Sequence, residues 1–410
     1  MNDYELIIVG GGMVGNAFAA AMADSGLSLA MIEPRPFTPW QRPPAEYDLR
    51  VSALTRASEN LLRRLNCWDE IAQLRLCPYR AMSVWERSGA IHFDAAEVGE
   101  PNLGHIVENG AIQSALVNRL RRQGQCELIT DFNLTTLRRH PESIELRDDR
   151  GRALQCDLLI GADGANSQVR QLAAMPSHGW SYDQQAVVAT ITTRDPHQQT
   201  AWQRFTPKGP IAMLPLADPH RCSLVWSLPT EEADTVMQLE EAPFLHQLQQ
   251  QFGTALGELE ASGQRASFAL QLKHSRQYTQ ERLALIGNAA HVIHPLAGQG
   301  LNIGLLDAAA LAEVILNDIR QGRTPSRFKT LRRYERWRKG DNLLMMGAMD
   351  GLKRLFSNSH PLITTLRNRG LQLTDRLTPL KRQLIINAMG LNGGEELPPL
   401  CRPLWPTDSP

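Results

Sequence analysis

Within ALIGNAAHVIHPLAGQGLNIG, residues 284–304, two histidines, a proline and several glycines stand close enough together to do chemistry. His291 and His294 have the i, i+3 spacing that one helix face offers to zinc, but no third ligand cluster accompanies them, so no metal is expected. Pro295 can stop a helix. A structural turn and a loop that holds something large against its backbone both stay open. Gly298 and Gly300 carry no side chain to push such a group away. Amides of residues 299–302, at the start of a predicted helix from about 303 to 319, favour negative charge.

A second set lies in YELIIVGGGMVGNAFAAAMADSGLSLAMIEPR. Gly10, Gly12 and Gly15 fall in the pattern G-x-G-x-x-G between an apolar run, Leu6 to Val9, and a small-residue segment, Ala17 to Ala23. The first glycine permits a tight turn, the second lets backbone approach a pyrophosphate, and the third lets a helix sit close on a sheet. Free amides and the dipole at the helix start attract phosphate. A further strand, Leu29 to Ile32, ends at Glu33, whose carboxylate can accept hydrogen bonds from ribose hydroxyls. Together these predict a dinucleotide site, without deciding between NAD and FAD. CDLLIGADGANSQVR, residues 156–170, adds a third strand-turn-helix unit carrying Asp163 and Arg170.

These residues need a framework to position them. A chain of 410 residues is long for one simple core, which predicts two connected domains. Alternation in AVVATITT, PIAMLPL and RCSLVWSL predicts an antiparallel sheet within 176–274 that covers the site. Phe205, Met213, Leu214 and Trp226 on those strands are candidate pocket residues. Between Arg320 and Arg382 stand 16 Lys/Arg and four Asp/Glu, so 16 − 4 = +12. That excess reads as a polar helix face, or as a surface meeting anionic lipid headgroups or an acidic partner. Overall charge balances at 43 against 43, which gives no reason to expect nucleic acid. Six cysteines without a CxxC pair predict buried thiols in a reducing compartment. The apolar N-terminus has no basic flank, and no run of about 18 apolar residues occurs, so a cytoplasmic chain is expected.

The three motifs resemble the glycine, DG and GD motifs of the class A flavoprotein monooxygenases, and the match spans almost the whole chain. LRVSAL (49–54), FDAAE (93–97), GHIVEN (104–109), DPHRCSLVWSL (218–228), LRRYERWRK (331–339) and AMGLN (388–392) are similar to the 2-polyprenylphenol hydroxylase branch of the ubiquinone-biosynthesis hydroxylases. PYR, WQRFTPKGP and SQVRQ also resemble the demethoxyubiquinol hydroxylase sibling. The resemblance implies an α/β fold like that of para-hydroxybenzoate hydroxylase, with an FAD-binding Rossmann domain, an inserted antiparallel-sheet substrate domain and C-terminal helices. The implied division is 1–75, 105–175 and 275–325 for FAD, 76–104 and 176–274 for substrate, 326–392 for the helices, and a flexible tail at 393–410.

The resemblance further implies that FAD meets Gly10, Gly12, Met13, Val14, Gly15, Glu33, Arg50, Asn109, Asp163, Asn288, Gly300, Leu301 and Asn302. Pro295 and Gly298 would lie at the flavin face, with no base assigned. Hydroxylation through a flavin C4a-hydroperoxide would take O2, with electrons from NAD(P)H or a protein donor. A polyprenylphenol substrate would bring contact with the inner membrane or a biosynthetic complex. One position departs from the pattern: Asn288 stands where the family usually has aspartate. A neutral hydrogen bond contributes about 0.5–1.5 kcal/mol against about 1.5–3 for a charged one, so weaker FAD retention is expected. Two other classes compete: an isoprenoid reductase sharing the glycine motif, and a flavin-less scaffold.

Overall fold

Buried apolar runs become the parallel strands that carry the first motif: β1 (Tyr4–Val9), helix α1 (Met13–Met22) and β2 (Leu29–Glu33). The computed structural model describes residues 2–41, 43, 46–86, 89–293, 300–358, 360–392 and 394–403. The chain continues through β3 (Val51–Thr55), α2 (Arg56–Arg64), α3 (Trp68–Gln73), β4 (Leu76–Tyr79), β5 (Ala81–Glu86), β6 (Gly89–Asp94), β7 (Gly104–Glu108), α4 (Asn109–Gln123) and β8 (Cys126–Thr130). Next come β9 (Leu134–Arg139), β10 (Ile144–Asp148), β11 (Ala153–Gly161), α5 (Gln168–Leu172), β12 (Ser177–Thr193), β13 (Thr200–Thr206), β14 (Gly209–Pro215) and β15 (Arg221–Pro229). Helices α6 (Thr230–Gln238) and α7 (Glu241–Phe252) precede β16 (Leu259–Ser275), β17 (Thr279–Gln280), β18 (Leu283–Leu285) and β19 (His291–Val292). Four helices finish the fold: α8 (Gly300–Arg320), α9 (Phe328–Ser357), α10 (Pro361–Arg376) and α11 (Thr378–Ala388).

The first sheet runs β17-β18-β11-β1-β2-β8, with β1 parallel to both β11 and β2. Its central strands read as unbroken apolar runs because helices cover them: Leu6, Ile7 and Ile8 are fully buried. Helix α1 packs on α4 and α8. It begins at Met13, not at Ala17 as the small-residue run predicts, because Gly12 is the extended N-cap and Gly15 already lies inside the helix. Helix α8 is apolar and long enough to cross a bilayer, but it is mostly buried between its neighbours.

A second sheet runs β19-β16-β12-β15-β14-β13-β5-β6, antiparallel except where β13 meets β5. One face of it buries Ile191, Met213, Leu224 and Trp226 against α6 and α7. The other face meets a small sheet, β3-β7-β4, and the C-terminal helices. All six cysteines are buried and unpaired, and burial pushes thiols such as Cys67 and Cys156 up to about 12.

Candidate functional site

The turn after β1 is held by its own neighbours. Glu33, at the end of β2, accepts the Gly11 amide at 2.7 Å. Asn16 donates to the carbonyls of Gly11 and Gly12, and Gln113 of α4 donates to Gly11 at 3.1 Å. With its carbonyls engaged, the turn directs the free first-turn amides of α1 outward, as helix N-termini must. Gly15 is obligatory for packing: a Cβ there would lie 2.0 Å from the Gly10 carbonyl oxygen. At exposed Gly12, by contrast, a Cβ would meet nothing within 4 Å, so the space beside it is open. A cavity of about 540 Å³ adjoins this turn, walled by Gly12, Glu33, Phe37, Trp40, Gly110 and Gln113 among others. Its size and its glycine floor suit the adenosine half of a dinucleotide.

Three distant loops converge here. Gly10, in the left-handed region at φ +110°, would bring a Cβ within 2.6 Å of the Ala162 backbone, so the first and second motifs touch. Half-buried Val14 packs into a notch formed by Gly287 and Gly304, joining the first motif to the third; a Cβ on Gly304 would come within 2.7 Å of it. Arg170 joins the second to the third. Its buried guanidinium donates to the Ala165 carbonyl at 2.8 Å and to the Ala289 carbonyl at 2.7 Å. Burial pulls that guanidinium below its usual range, and the charge of Asp163 opposes the shift.

Asp163 follows β11 directly. One carboxylate oxygen accepts the Val169 amide at 3.1 Å; Oδ1 is buried with no hydrogen-bond partner among the described residues. Loss of solvent raises its pKa, while Ser167 and nearby amides work the other way. An orphaned buried acceptor beside a glycine turn is what a missing hydroxyl-bearing ligand would leave behind.

The third motif is anchored from below by a residue the sequence reading passed over. Asp307 of α8, fully buried, accepts the Gly287 amide at 3.2 Å and pairs with His291 Nε2. Its other oxygen accepts from Arg338 at 3.0 Å and Asn342 at 3.1 Å, both on α9. Burial would raise this carboxyl, but facing His291 and Arg338 outweigh it and hold the pKa below the usual range. His291 is therefore committed to a carboxylate. The signal was present: an aspartate inside the apolar run NIGLLDAAALAEVIL needs a buried partner. Asn288 of the same turn is exposed. Pro295 and Gly298 lie outside the described residues, as do His294 and Gln299.

Helix α8 starts at Gly300, three residues earlier than predicted, with Gly300 and Leu301 half-buried in its first turn. The Asn302 side chain reaches β3 and α2. It donates to the Ala53 carbonyl at 2.8 Å and accepts from the Thr55 amide at 3.0 Å and Ser58 Oγ at 2.7 Å. On the other side of β3, Ser52 donates to Asn109 at 2.7 Å, and the Asn109 amide donates to the Arg50 carbonyl. The exposed Arg50 guanidinium stands 5.3 Å over the Phe268 ring of β16.

Ala53, tied to α8, also lines an apolar cavity of about 80 Å³ under the second sheet, with Tyr79, Phe93, Ala212, Leu214 and Ile385. Of the four predicted pocket residues, Leu214 lines it. Phe205 lies further along, stacked on Phe356 of α9 at 3.8 Å. Met213 and Trp226 need correction: strand alternation turns both to the opposite face, into the core beneath α6 and α7.

The chain matches the family described as FAD binding domain over residues 3–341. It is 39% identical over 393 residues to the 3-demethoxyubiquinol 3-hydroxylase of Escherichia coli, covering 94% of this chain and 98% of that one. It is 37% identical over 440 residues to the mitochondrial ubiquinone biosynthesis monooxygenase COQ6 of Xenopus tropicalis, covering 93% and 92%. The ubiquinone hydroxylase UbiL of Rhodospirillum rubrum is 37% identical over 404 residues, covering 97% and 92%. Among solved structures, p-nitrophenol 4-monooxygenase PnpA from Pseudomonas putida aligns with a TM-score of 0.77 at 18% identity, over 95% of this chain and 98% of that one. That likeness carries the fold.

Proposed function

This chain belongs to the family described as FAD binding domain, as an FAD-dependent monooxygenase of the ubiquinone-biosynthesis hydroxylases, and we propose that it hydroxylates the aromatic ring of a polyprenylphenol. What supports the reading is one connection: the Asn302 to Ala53 hydrogen bond sets the start of α8 directly against the apolar cavity. A ring held by the three loops would then face a substrate in a dry pocket. On this reading residues 1–75, 105–175 and 275–325 serve the cofactor, and 76–104 with 176–274 serve the substrate.

Bound FAD supplies the redox chemistry, taking electrons from NAD(P)H or a protein donor and activating O2. This chain's own residues bind and orient. Amides of Gly12, Met13 and Val14 would hold the pyrophosphate, with Gly15 keeping the helix close. Glu33 and Asp163 accept hydroxyl hydrogens, the latter through its orphaned Oδ1. Asn288 would offer a neutral acceptor, and the α8 amides at Gly300 and Leu301 would favour negative charge on a bound ring. Arg50 and Asn109 close the edge near β3. Ala53, Tyr79 and Leu214 exclude water from the reacting face.

A second reading, in which the substrate is a demethoxyubiquinol, is favoured by the Escherichia coli relative. The two separate by what accumulates in cells lacking this chain: unmodified polyprenylphenol supports the first, the demethoxy intermediate the second. The purified, FAD-loaded protein should consume NAD(P)H and O2 faster with substrate and place one atom of labelled oxygen in the product. Flavin reduction without oxygen incorporation would replace both readings with a reductase.

A further inference from the structure

Two buried polar side chains lack the partners that burial ordinarily demands. Tyr79, at the end of β4, is 7% exposed, and Gln203, in the middle of β13, is 6% exposed. Neither side chain has a hydrogen-bond partner among the described residues. Both line the apolar cavity under the second sheet, so the stretches PYR and WQRFTPKGP meet at one place. Trp202 also lines it, but its ring N–H is committed to the His197 carbonyl at 3.3 Å. Among the described residues of the cavity wall none is charged.

Both groups are carried by backbone that is pinned in place. Gln203 lies between two strands, in register with Ala212 of β14 and Val84 of β5. Alternation sets its side chain on the same face as Ala201, which lines the cavity too. Tyr79 pairs with Gly104 of β7, and a Cβ on that glycine would come within 3.0 Å of the phenol oxygen, so bare backbone makes room for the ring. Gly104 pairs in turn with Thr55 of β3, whose amide donates to Asn302 in the first turn of α8. Tyr79 is therefore two strand spacings, about 10 Å, from the residue that meets α8. Burial raises the Tyr79 phenol above its usual range, so it stays protonated and can both donate and accept.

We propose that Tyr79 and Gln203 are the specificity-determining pair of this cavity, hydrogen-bonding the hydroxyl of a neutral phenolic ring. The assignment rests on the ring-hydroxylation reading above and holds for either of its two substrates. A hydroxyl donates once and accepts through two lone pairs, so one hydroxyl can meet the phenol and the amide together. Fixing that oxygen sets which ring carbons are presented toward Ala53 and α8. A carboxylated ring is refused, because no cation in the wall would pair with its charge. The cavity, about 80 Å³, is smaller than an aromatic ring needs. Entry therefore displaces flexible side chains such as Met82 and Leu384, while the strands that carry the pair keep their places.

The test is calorimetric titration of the FAD-loaded full chain with ortho-geranylphenol, with geranylbenzene, and with the phenol carrying a ring carboxylate para to its hydroxyl. The plain phenol should bind about tenfold or more tightly than either of the others. Tyr79→Phe and Gln203→Leu should each cut its preference over geranylbenzene several-fold, and the double variant should remove it. In the ligand-free chain the same changes should leave the melting temperature unchanged or higher, since each deletes a buried polar group that has no partner to lose. Recognition and stability then separate, which a structural role for these side chains would not produce. A preference that survives in the double variant, or a melting temperature that falls with it, overturns the assignment and leaves the ring reading standing. Equal binding of the carboxylated probe overturns the selection for a neutral ring. A native chain that binds none of the three removes the ring reading, and the role of the pair goes with it.

Discussion

The cofactor loops and the C-terminal helices solve opposite packing problems. In the loops, side chains are deleted wherever two surfaces meet, as at Gly15 under the Gly10 carbonyl and at Gly304 under Val14. On α9 to α11, large apolar side chains such as Leu344, Leu366 and Leu373 stand mostly exposed among the described residues. The first arrangement suits a rigid ligand of fixed shape, for which backbone must approach closely. The second suits a soft surface, for which area matters more than shape. A site for a rigid ligand therefore writes itself into residue spacing, whereas one for a soft surface is written into composition and exposure.

The largest expected effect breaks the second side of this contrast. Glu86→Ala leaves Arg367 buried without its carboxylate, and removing one partner of a buried pair costs about 3–5 kcal/mol. Urea unfolding should show that loss, with much of it recovered when Arg367 is also replaced by Met. A loss below about 1 kcal/mol would mean that α10 is held by other means, and that its outward leucines need another account.

Next in size is Gly304→Ala. The new methyl would overlap Val14 at 2.7 Å, and overpacking of this kind costs about 1–3 kcal/mol, less roughly 1 kcal/mol returned by alanine's helix propensity. FAD affinity should fall together with the melting temperature. Val14→Ala in the same chain should restore both, since it opens the notch. Without that rescue, the loops do not depend on one another as their contact suggests.

What the sequence made legible follows the same division. Gly10, Gly12, Gly15 and Glu33 could be read because their geometry is local, fixed within one strand-helix-strand unit. The notch that joins Val14 to Gly287 and Gly304 could not, since no spacing rule connects residues so far apart. Met213 and Trp226 were misplaced for a related reason. Alternation already sets neighbouring Met213 and Leu214 on opposite faces, so both could not line one pocket, but it does not say which face meets α6 and α7. The basic surplus of 320–382 was countable, but burial of Arg338 and Arg367 inside it was not, and it is the buried arginines that free the outer face.

A smaller effect sharpens the cofactor side. Asn288→Asp restores a charged acceptor on the exposed turn, and exchanging a neutral for a charged hydrogen bond is worth about 1 kcal/mol. FAD should bind roughly fivefold more tightly in a fluorescence titration. Unchanged affinity would remove Asn288 from the cofactor's contacts.

The smallest effect lies where the two regions adjoin. His274 of β16 pairs in register with His291, and its Nε2 is buried without a partner among the described residues. Burial first, then the charges of Lys339, His291 and His178, push its pKa from 6.5 down to about 4, against a weaker pull from Glu335. Above pH 6.5 it is neutral whether folded or not. Between 6.5 and 4 the unfolded chain takes up the proton and the folded chain refuses it, so stability falls on acidification and levels off below 4. Glu59 acts in a different window: burial opposes its ionisation, but His105 and Arg56 hold it at about 2, so its contribution is lost only from about 4.5 downward. His197 is also lowered by burial, so the informative quantity is a difference. Urea midpoints at pH 7, 6 and 5 should fall more steeply for the native chain than for His274→Gln, whose slope loses this proton. Parallel slopes would mean that His274 accepts its proton in the folded state, and that the seam between β16 and β19 is open to water.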